Sequence, residues 1–484
     1  MARINTNVSS LIAQHRLSEA NKDLTVRLQR LSTGLKINRG ADGPADLIVS
    51  ERLRSEIEGI SQAINNSERA TNVIATAEAA LAEVANLLTT IKSLAVEAAN
   101  SGGLSKEEIQ ANQLQVDDAV ASITRISDTT TFAGLSLLNG SLDYVTSGVP
   151  TSALTDVRIF QATFGTNATA PVAVEVISSA QRASLFLSTG SAALTSSVSI
   201  EVAGNRGVQV LQFVSNTGLS AVQFAINQVT DSTGVYASVV NGSFTSGISV
   251  YSSDFGSSQF VSVEKLSTPP GTFFDTYSAK GVTGALQRDT GEDVLALVNG
   301  TLALGDGKTV KLNTNTLNLE LALSDAYAQT TGVRTFSITG GGAKFQLGPS
   351  VQTSQQISFG IQSIASPQLG GSELGFLSSI VSGGPNSLVA GEAAAASNII
   401  DAAINQVSVT RGRLGAFELN TLQTNIRSLQ ISLENVTASE SQIRDTDFAA
   451  EISELTRAQV LVNVGTSVLA TANSSTQSVL ALLQ

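Results

Sequence analysis

The sequence predicts an α+β, multidomain chain. Terminal helices from both chain ends form a coiled coil and a helix bundle, and one or two β-rich modules are inserted between them. Three observations carry this expectation. Residues 1–130 are rich in Ala, Leu, Glu and Arg, and the same helix-favouring composition returns from about 388 to the end. Between about 140 and 385 Ser, Thr, Gly, Val and Phe dominate, with strand-like alternation such as SVSIEV at 197–202. In the end segments, apolar residues recur at steps of three and four, the spacing of one helix face.

The elements follow in chain order. Near the start, Leu17, Leu24, Leu28, Leu31 and Leu35 form a stripe. The stretch LKINRGADGPADLIV (35–49) then interrupts the helix at Gly40, Gly43 and Pro44. Asp42 and Asp46 are candidate caps for the next helix. That helix carries Ala63, Ala70, Val73, Ala77, Ala80, Val84, Leu87, Ile91, Leu94 and Ala98, a heptad seam whose alanines let a neighbour approach closely. A shorter helix, about 105–128, offers Ile109, Val116, Val120 and Ile123, and the carboxylates of Glu107, Glu108, Asp117 and Asp118 read as its solvated face. In the C-terminal part Ile400, Ala403, Val407, Thr410, Leu414, Phe417 and Thr421 keep the same steps.

The last helix poses a packing problem. Leu455, Ala458, Val462, Gly465, Leu469, Ala472, Thr476, Val479 and Leu483 form one row, which suits pairing with the first helix. Beside it runs a second row, Leu461, Val464, Val468 and Leu482, and the sequence ends on SVLALLQ with Leu480, Leu482 and Leu483. A two-helix hairpin cannot cover both rows. Fully burying one Leu is worth roughly 1.5–3 kcal/mol, so the uncovered rows ask for other copies of the chain.

The middle reads as strands and turns. Segment 196–240 predicts strand, turn, strand, short helix, strand, with Val198, Ile200 and Val202 alternating and Ser220 as cap of a helix bearing Val222, Ala225, Ile226 and Val229. Further alternation occurs at 258–266, 301–312 and 333–348.

Composition excludes several functions. The net charge of -12 and pI near 4.7 argue against nucleic-acid binding, which needs a basic face. No stretch approaches the roughly 18 consecutive apolar residues of a membrane span, so no membrane insertion is expected. MARINTNVSS lacks the basic and apolar regions of a cleaved secretory signal. Zero Cys removes disulfides and thiolate chemistry. The single His15 can supply neither the two ligands of HExxH nor a triad without a terminal helix entering the site. GNRG and GDG lack phosphate-loop spacing and read as turns. No enzyme, cofactor or metal is expected.

Taken together, the ends resemble the bacterial flagellins. LQRLSTGLKINRGADGPADLIVSERLRS (28–55), NLLTTIKSLAVEAANSG (86–102) and TFAGLSLLNGS (131–141) follow in the family's order, and SQIRDTDFAAEISELTRAQVLVNVGTSVLATANSSTQSVLALLQ (441–484) is similar to its C-terminal pattern. Segment 196–240 is similar to an insert found in flagellins and hook proteins.

The resemblance implies a filament subunit for swimming motility, with a hook–filament junction protein as the alternative. It implies an inner-core helix at 1–36 pairing with 445–484, and a spoke at 37–56 carrying Arg39, Asp42 and Asp46. Outer-tube helices are implied at 57–145, with a further helix and spoke at 386–444. The surface insert is placed at 146–340, and a β-hairpin and connection at 341–385. Leu17, Leu24, Leu28, Leu31, Leu35, Leu455, Val462, Leu469, Val479, Leu480, Leu482 and Leu483 become inner-core assembly residues. Val73, Ala77, Ala80, Val84, Leu87, Ile91, Leu94, Val407, Leu414 and Phe417 become outer-tube packing residues. The implied partners are other copies of the chain, the cap protein, junction proteins, an export chaperone and the flagellar secretion apparatus, with an extracellular destination. The family's site for a vertebrate innate immune receptor maps to LLTTIKSLAVE. Leu88 and Leu94 are present there, but Thr90 stands at the usual arginine and Gln115 at a common acidic position, so a weak receptor response is expected.

Overall fold

In the computed structural model, residues 6–100, 102–165, 167–188, 192–266, 275–279 and 285–481 are described, with terminal side chains described through Ser474. The chain divides into two compact units. One comprises Met1–Thr71, Gln346–Gln355 and Glu418–Gln484, the other Asn72–Phe345 and Gln356–Phe417.

Helix α1 spans Val8–Thr33. Asn7 caps it by accepting from the Ser10 N–H, and Gly34 ends it in the left-handed region at φ +74°, a conformation that favours glycine. Helix α2 spans Pro44–Ala98, so the polar linker is shorter than its composition suggests: Pro44 opens the helix instead of breaking it. Proline's fixed φ suits the first helical position, where its missing N–H costs nothing. Asp42 does not cap α2 either. Its Oδ2 accepts from the Asn38 N–H at 3.0 Å and the Arg39 N–H at 2.8 Å, folding the loop onto itself. Asp46 lies in the first turn of α2, where a carboxylate favours the helix dipole.

Helix α3 spans Lys106–Thr129 and begins with a reciprocal cap, in which the Ser105 hydroxyl accepts from the Glu108 N–H and Glu108 accepts from Ser105. The acidic residues of this helix are therefore not merely a solvated face. Asp117 also has partners, accepting from the Gln113 amide at 2.8 Å and the Ser382 N–H at 2.8 Å. Buried Gln113 ties α3 to the connection after the sheets, donating to the Ile380 carbonyl at 2.9 Å and accepting from the Leu388 N–H at 2.7 Å.

The middle folds as two β-modules within the second unit. One is an eight-stranded antiparallel sheet ordered Tyr144–Ser147, Gly332–Gly341, Ala170–Ser178, Leu295–Val298, Thr301–Asp306, Thr309–Asn313, Leu317–Leu323, Leu154–Ala162. Val172, Val174, Val176, Ala296, Leu319 and Leu321 alternate into its core. The other module packs helix α4 (Leu219–Gln228) with two four-stranded sheets around Leu185, Ile200, Val202, Val222, Ile226 and Val250. Strands Val198–Gly204 and Gly207–Phe213 of the segment 196–240 pair as a hairpin in one sheet, whereas Val235–Val239 pairs with Ile248–Ser252 in the other. Gly218, without a side-chain bond, is the N-cap of α4. Ser220 is already helical and caps nothing. Helix α5 (Thr230–Thr233) and helix α6 (Asp325–Ala328) are single turns.

Helix α7 spans Ala393–Phe417, and helix α8 spans Gln423–Arg444, joined by a π turn at Glu418–Leu422. In the second unit α7 runs antiparallel to α2, with Lys92 bonded to Ser397 and Asp401 and Arg411 beside Glu78. In the first unit Asn425 donates to Ser67 at 3.2 Å, and Arg444 pairs with Glu51 at 2.9 Å.

Val73, Ala77, Val84, Ile91, Leu94, Val407, Leu414 and Phe417 are all buried. The seam differs from the predicted one at two positions: Ala80 and Leu87 are half-buried, and their neighbours Leu81 and Leu88 are fully inside. The π turn inserts an extra residue into the repeat of the last seam. Leu422, rather than the predicted Thr421, consequently turns inward after Phe417.

The second unit also holds a partly buried acid. Asp143 lies near Asp156, and burial pushes its carboxyl up to about 6 from 3.8, against the pull of its hydrogen bond from the Tyr144 N–H. The folded state thus holds this proton more tightly than the unfolded chain. Its stabilising contribution is fully present below 3.8 and is lost as pH rises through about 6. The Asp143→Asn variant, which keeps the acceptor for Tyr144, is expected to flatten the decline of the denaturation midpoint across that interval. Midpoints measured at a series of pH values check this.

Candidate assembly interface

The first unit brings the two chain ends together. Helix α9 spans Phe448–Ala481 and runs antiparallel to α1. The Asn7 amide donates to the Ala472 carbonyl at 2.9 Å, and the Ser10 hydroxyl donates to Asn473 at 2.7 Å. At the closed end the Lys36 N–H donates to the Arg444 carbonyl at 2.7 Å, and the Thr446 N–H to the Gly34 carbonyl at 2.9 Å. Between them Gly465 lets the helices touch, since a Cβ there would lie 3.2 Å from Leu17 Cδ1.

One row of α9 is covered. Ala458 is buried, and Leu455, Val462, Gly465, Leu469 and Ala472 are half-buried on the α1 side. On α1, Leu17, Leu24, Leu31 and Leu35 are likewise half-buried. Leu28 departs from its predicted row and is 50% exposed. The second α9 row is bare, with Leu461 at 47%, Val464 at 51% and Val468 at 51% exposed, and α1 adds Leu11 and Ile12, each at 58%. Ile12, Ala13, Leu461, Val464, Gly465 and Val468 line a groove of about 570 Å³ along the hairpin. Val479 and Leu480 lie beyond the last described side chain, and Leu482 and Leu483 lie outside the described residues.

An ion cluster that the sequence reading did not single out bridges the two helices of the hairpin. Glu451, almost fully buried, accepts from Arg27 at 3.2 Å and lies 3.9 Å from Arg30. Arg27 also reaches Asp23 at 3.2 Å. Burial works against the Arg27 charge, but the hydrogen bond to Glu451 and the field of Asp23 outweigh it and hold the guanidinium above its ordinary range. Glu451 precedes Leu455 and Ala458 by the same helical steps, so a carboxylate within an apolar row was the available signal. Arg39 donates to Gln29 at 2.8 Å, which fastens the linker to α1. The hydrogen bonds from Arg39 and Asn38 hold the Asp42 carboxyl below its usual range.

The segment likened to a receptor site is divided. Leu88 and Leu94 are buried in the helix packing, while Thr90 and Gln115 face solvent. Among the described residues α2 is the one helix long and apolar enough to cross a membrane by composition. Its apolar stripe is packed within the chain's own units.

The two terminal helices thus form one hairpin that covers one apolar row of α9 and leaves the next bare, the architecture of a helical structural subunit. Comparison with known proteins makes the class specific. The model of the bacterial flagellin N-terminal helical region matches residues 4–143, and that of the C-terminal helical region matches 397–483. The chain is 30% identical to a B-type flagellin of Pseudomonas aeruginosa over 99% of both chains. It is 28% identical to a flagellin of Salmonella rubislaw, again over 99% of each. Flagellin B of Helicobacter pylori is 26% identical over 100% of this chain and 99% of its own. The chain belongs to the bacterial flagellin family, and it is a structural subunit of the flagellar filament.

Proposed function

We propose that the α1–α9 hairpin is the surface through which copies of this chain polymerise. The observation that carries this is the bare row Leu461, Val464 and Val468 beside the covered row Leu455, Val462 and Leu469. Heterologous contacts that do not close into a ring generate a filament. The linker with Arg39, Asp42 and Asp46 serves as the spoke, α2, α3 and α7 as outer-tube helices, and the two β-modules as the surface insert. The chain works without catalysis or cofactor, is exported by the flagellar pathway, and acts outside the cell. Its further partners are the cap, junction proteins, an export chaperone and the secretion apparatus. Its α2 helix, carrying Thr90 in place of the usual arginine, gives a weak innate-receptor response.

The test is growth from seeds. Purified chain, added alone to short fragments of its own filament, is expected to elongate them into long filaments. Seeds that gain only a short cap and then stop would overturn the filament role in favour of a junction adaptor.

A further inference from the structure

The chain contains three Asn-Gly dipeptides, Asn139-Gly140, Asn241-Gly242 and Asn299-Gly300, each followed by Ser or Thr. Local sequence is therefore nearly constant among them, and any difference in their chemistry comes from the fold. We infer that Asn241 is a site of spontaneous deamidation on this subunit, and that the fold protects Asn299 from the same reaction.

The reaction needs only the chain and water. The backbone nitrogen of the following glycine loses its proton and attacks the Asn side-chain carbonyl carbon, Cγ. The new C–N bond closes a five-membered succinimide as the bond to Nδ2 breaks, and Nδ2 leaves as ammonia. Water then opens either ring carbonyl, giving aspartate or isoaspartate. Ring closure requires the side-chain amide to leave its partners and swing onto the next backbone nitrogen.

At Asn299 that swing is opposed twice. Its Oδ1 accepts from the Ala173 N–H at 2.8 Å, and its Nδ2 donates to the Pro171 carbonyl at 3.1 Å. Its own N–H donates to the Ala173 carbonyl at 2.9 Å, and the turn joins two paired strands of the eight-stranded sheet. Asn139 is held once, its Oδ1 accepting from the Ser141 N–H at 3.0 Å. Asn241 is exposed, and its side chain makes no hydrogen bond among the described residues. It lies in a short loop closed by a bond of 3.2 Å from the Ser243 N–H to the Val240 carbonyl. The space around both Gly242 and Gly300 is open, so crowding does not distinguish them. The bonds of the Asn amide do.

Each conversion adds one negative charge, and isoaspartate also lengthens the backbone of the 240–247 loop by a methylene. Wherever copies of this chain repeat along a filament, ageing adds this charge at each converted copy.

The experiment incubates the full-length chain at mildly alkaline pH and follows the three sites by peptide mass spectrometry, with isoaspartyl methyltransferase labelling as a second readout. Folded protein is expected to convert Asn241 many-fold faster than Asn299, with Asn139 between. The same chain in denaturant is expected to convert all three at similar rates. Equal rates at Asn241 and Asn299 in the folded chain would overturn the inference. So would an unchanged ratio in denaturant, because the preference would then lie in sequence rather than in the fold.

Discussion

Replacing Leu461, Val464 and Val468 together by Gln is expected to leave the monomer folded, with a loss of at most about 1.5 kcal/mol, while the critical concentration for filament growth rises about a hundredfold. The three side chains are about half exposed in the single chain, so polar replacements there change monomer stability by only about 0.5 kcal/mol each. Completing the burial of an apolar side chain that is already half covered is worth about 1 kcal/mol, half of the full transfer value. Three such positions sum to about 3 kcal/mol per subunit added, and ~1.4 kcal/mol is tenfold in affinity. Gln is a good helix former, so α9 itself should persist. Thermal melting of the monomer and sedimentation of polymer after seeding give the two readouts. A variant that polymerises at the original concentration would mean that the bare row faces solvent in the filament as well.

The second large effect lies in the helix seam. Leu88→Ala is expected to destabilise the chain by ~2–5 kcal/mol, the usual cost of emptying a fully buried leucine site. Leu87→Ala, one residue away and only half-buried, is expected to cost about half as much or less. Denaturant unfolding distinguishes them as a lower midpoint at unchanged slope. The opposite order would restore the seam that the repeat alone suggests.

That contrast shows where the sequence was sufficient and where it was not. Along α2 the apolar residues come in neighbouring pairs, Val73 with Ile74, Ala80 with Leu81, Leu87 with Leu88, and Leu94 with Ala95. Either member continues a repeat of three and four; both turn inward at Val73–Ile74 and Leu94–Ala95, and only Leu81 and Leu88 are fully buried in the other two pairs. A straight helix also drifts by about 20° per heptad against a strict repeat. The π turn at Glu418–Leu422 was illegible for a related reason. Nothing in ELNTL marks an extra residue, and the shift becomes visible only as burial of Leu422 in place of Thr421.

The rows of α9 were legible because one face alternates cleanly and the second is spaced identically beside it. What periodicity could not supply was the charged bridge across the hairpin. Glu451 binds Arg27 across a separation of 424 residues, and a single sequence does not reveal such a pairing. The β-modules divide similarly. Alternation located the strands, but Val235–Val239 pairs with Ile248–Ser252, a partner outside the segment that gave the motif its outline. The linker is shorter than its Gly43-Pro44 pair suggests, because proline at a first helical position is a start signal as well as a breaker.

The most direct measurement uses the absence of cysteine from the chain. A Val464→Cys variant introduces a single thiol into the bare row, and its rate of alkylation can be compared in monomer and filament. If other copies complete the hairpin's core, the thiol reacts readily in the monomer and many-fold more slowly in the filament. Equal rates in the two states would contradict the claim that the bare row is an assembly surface.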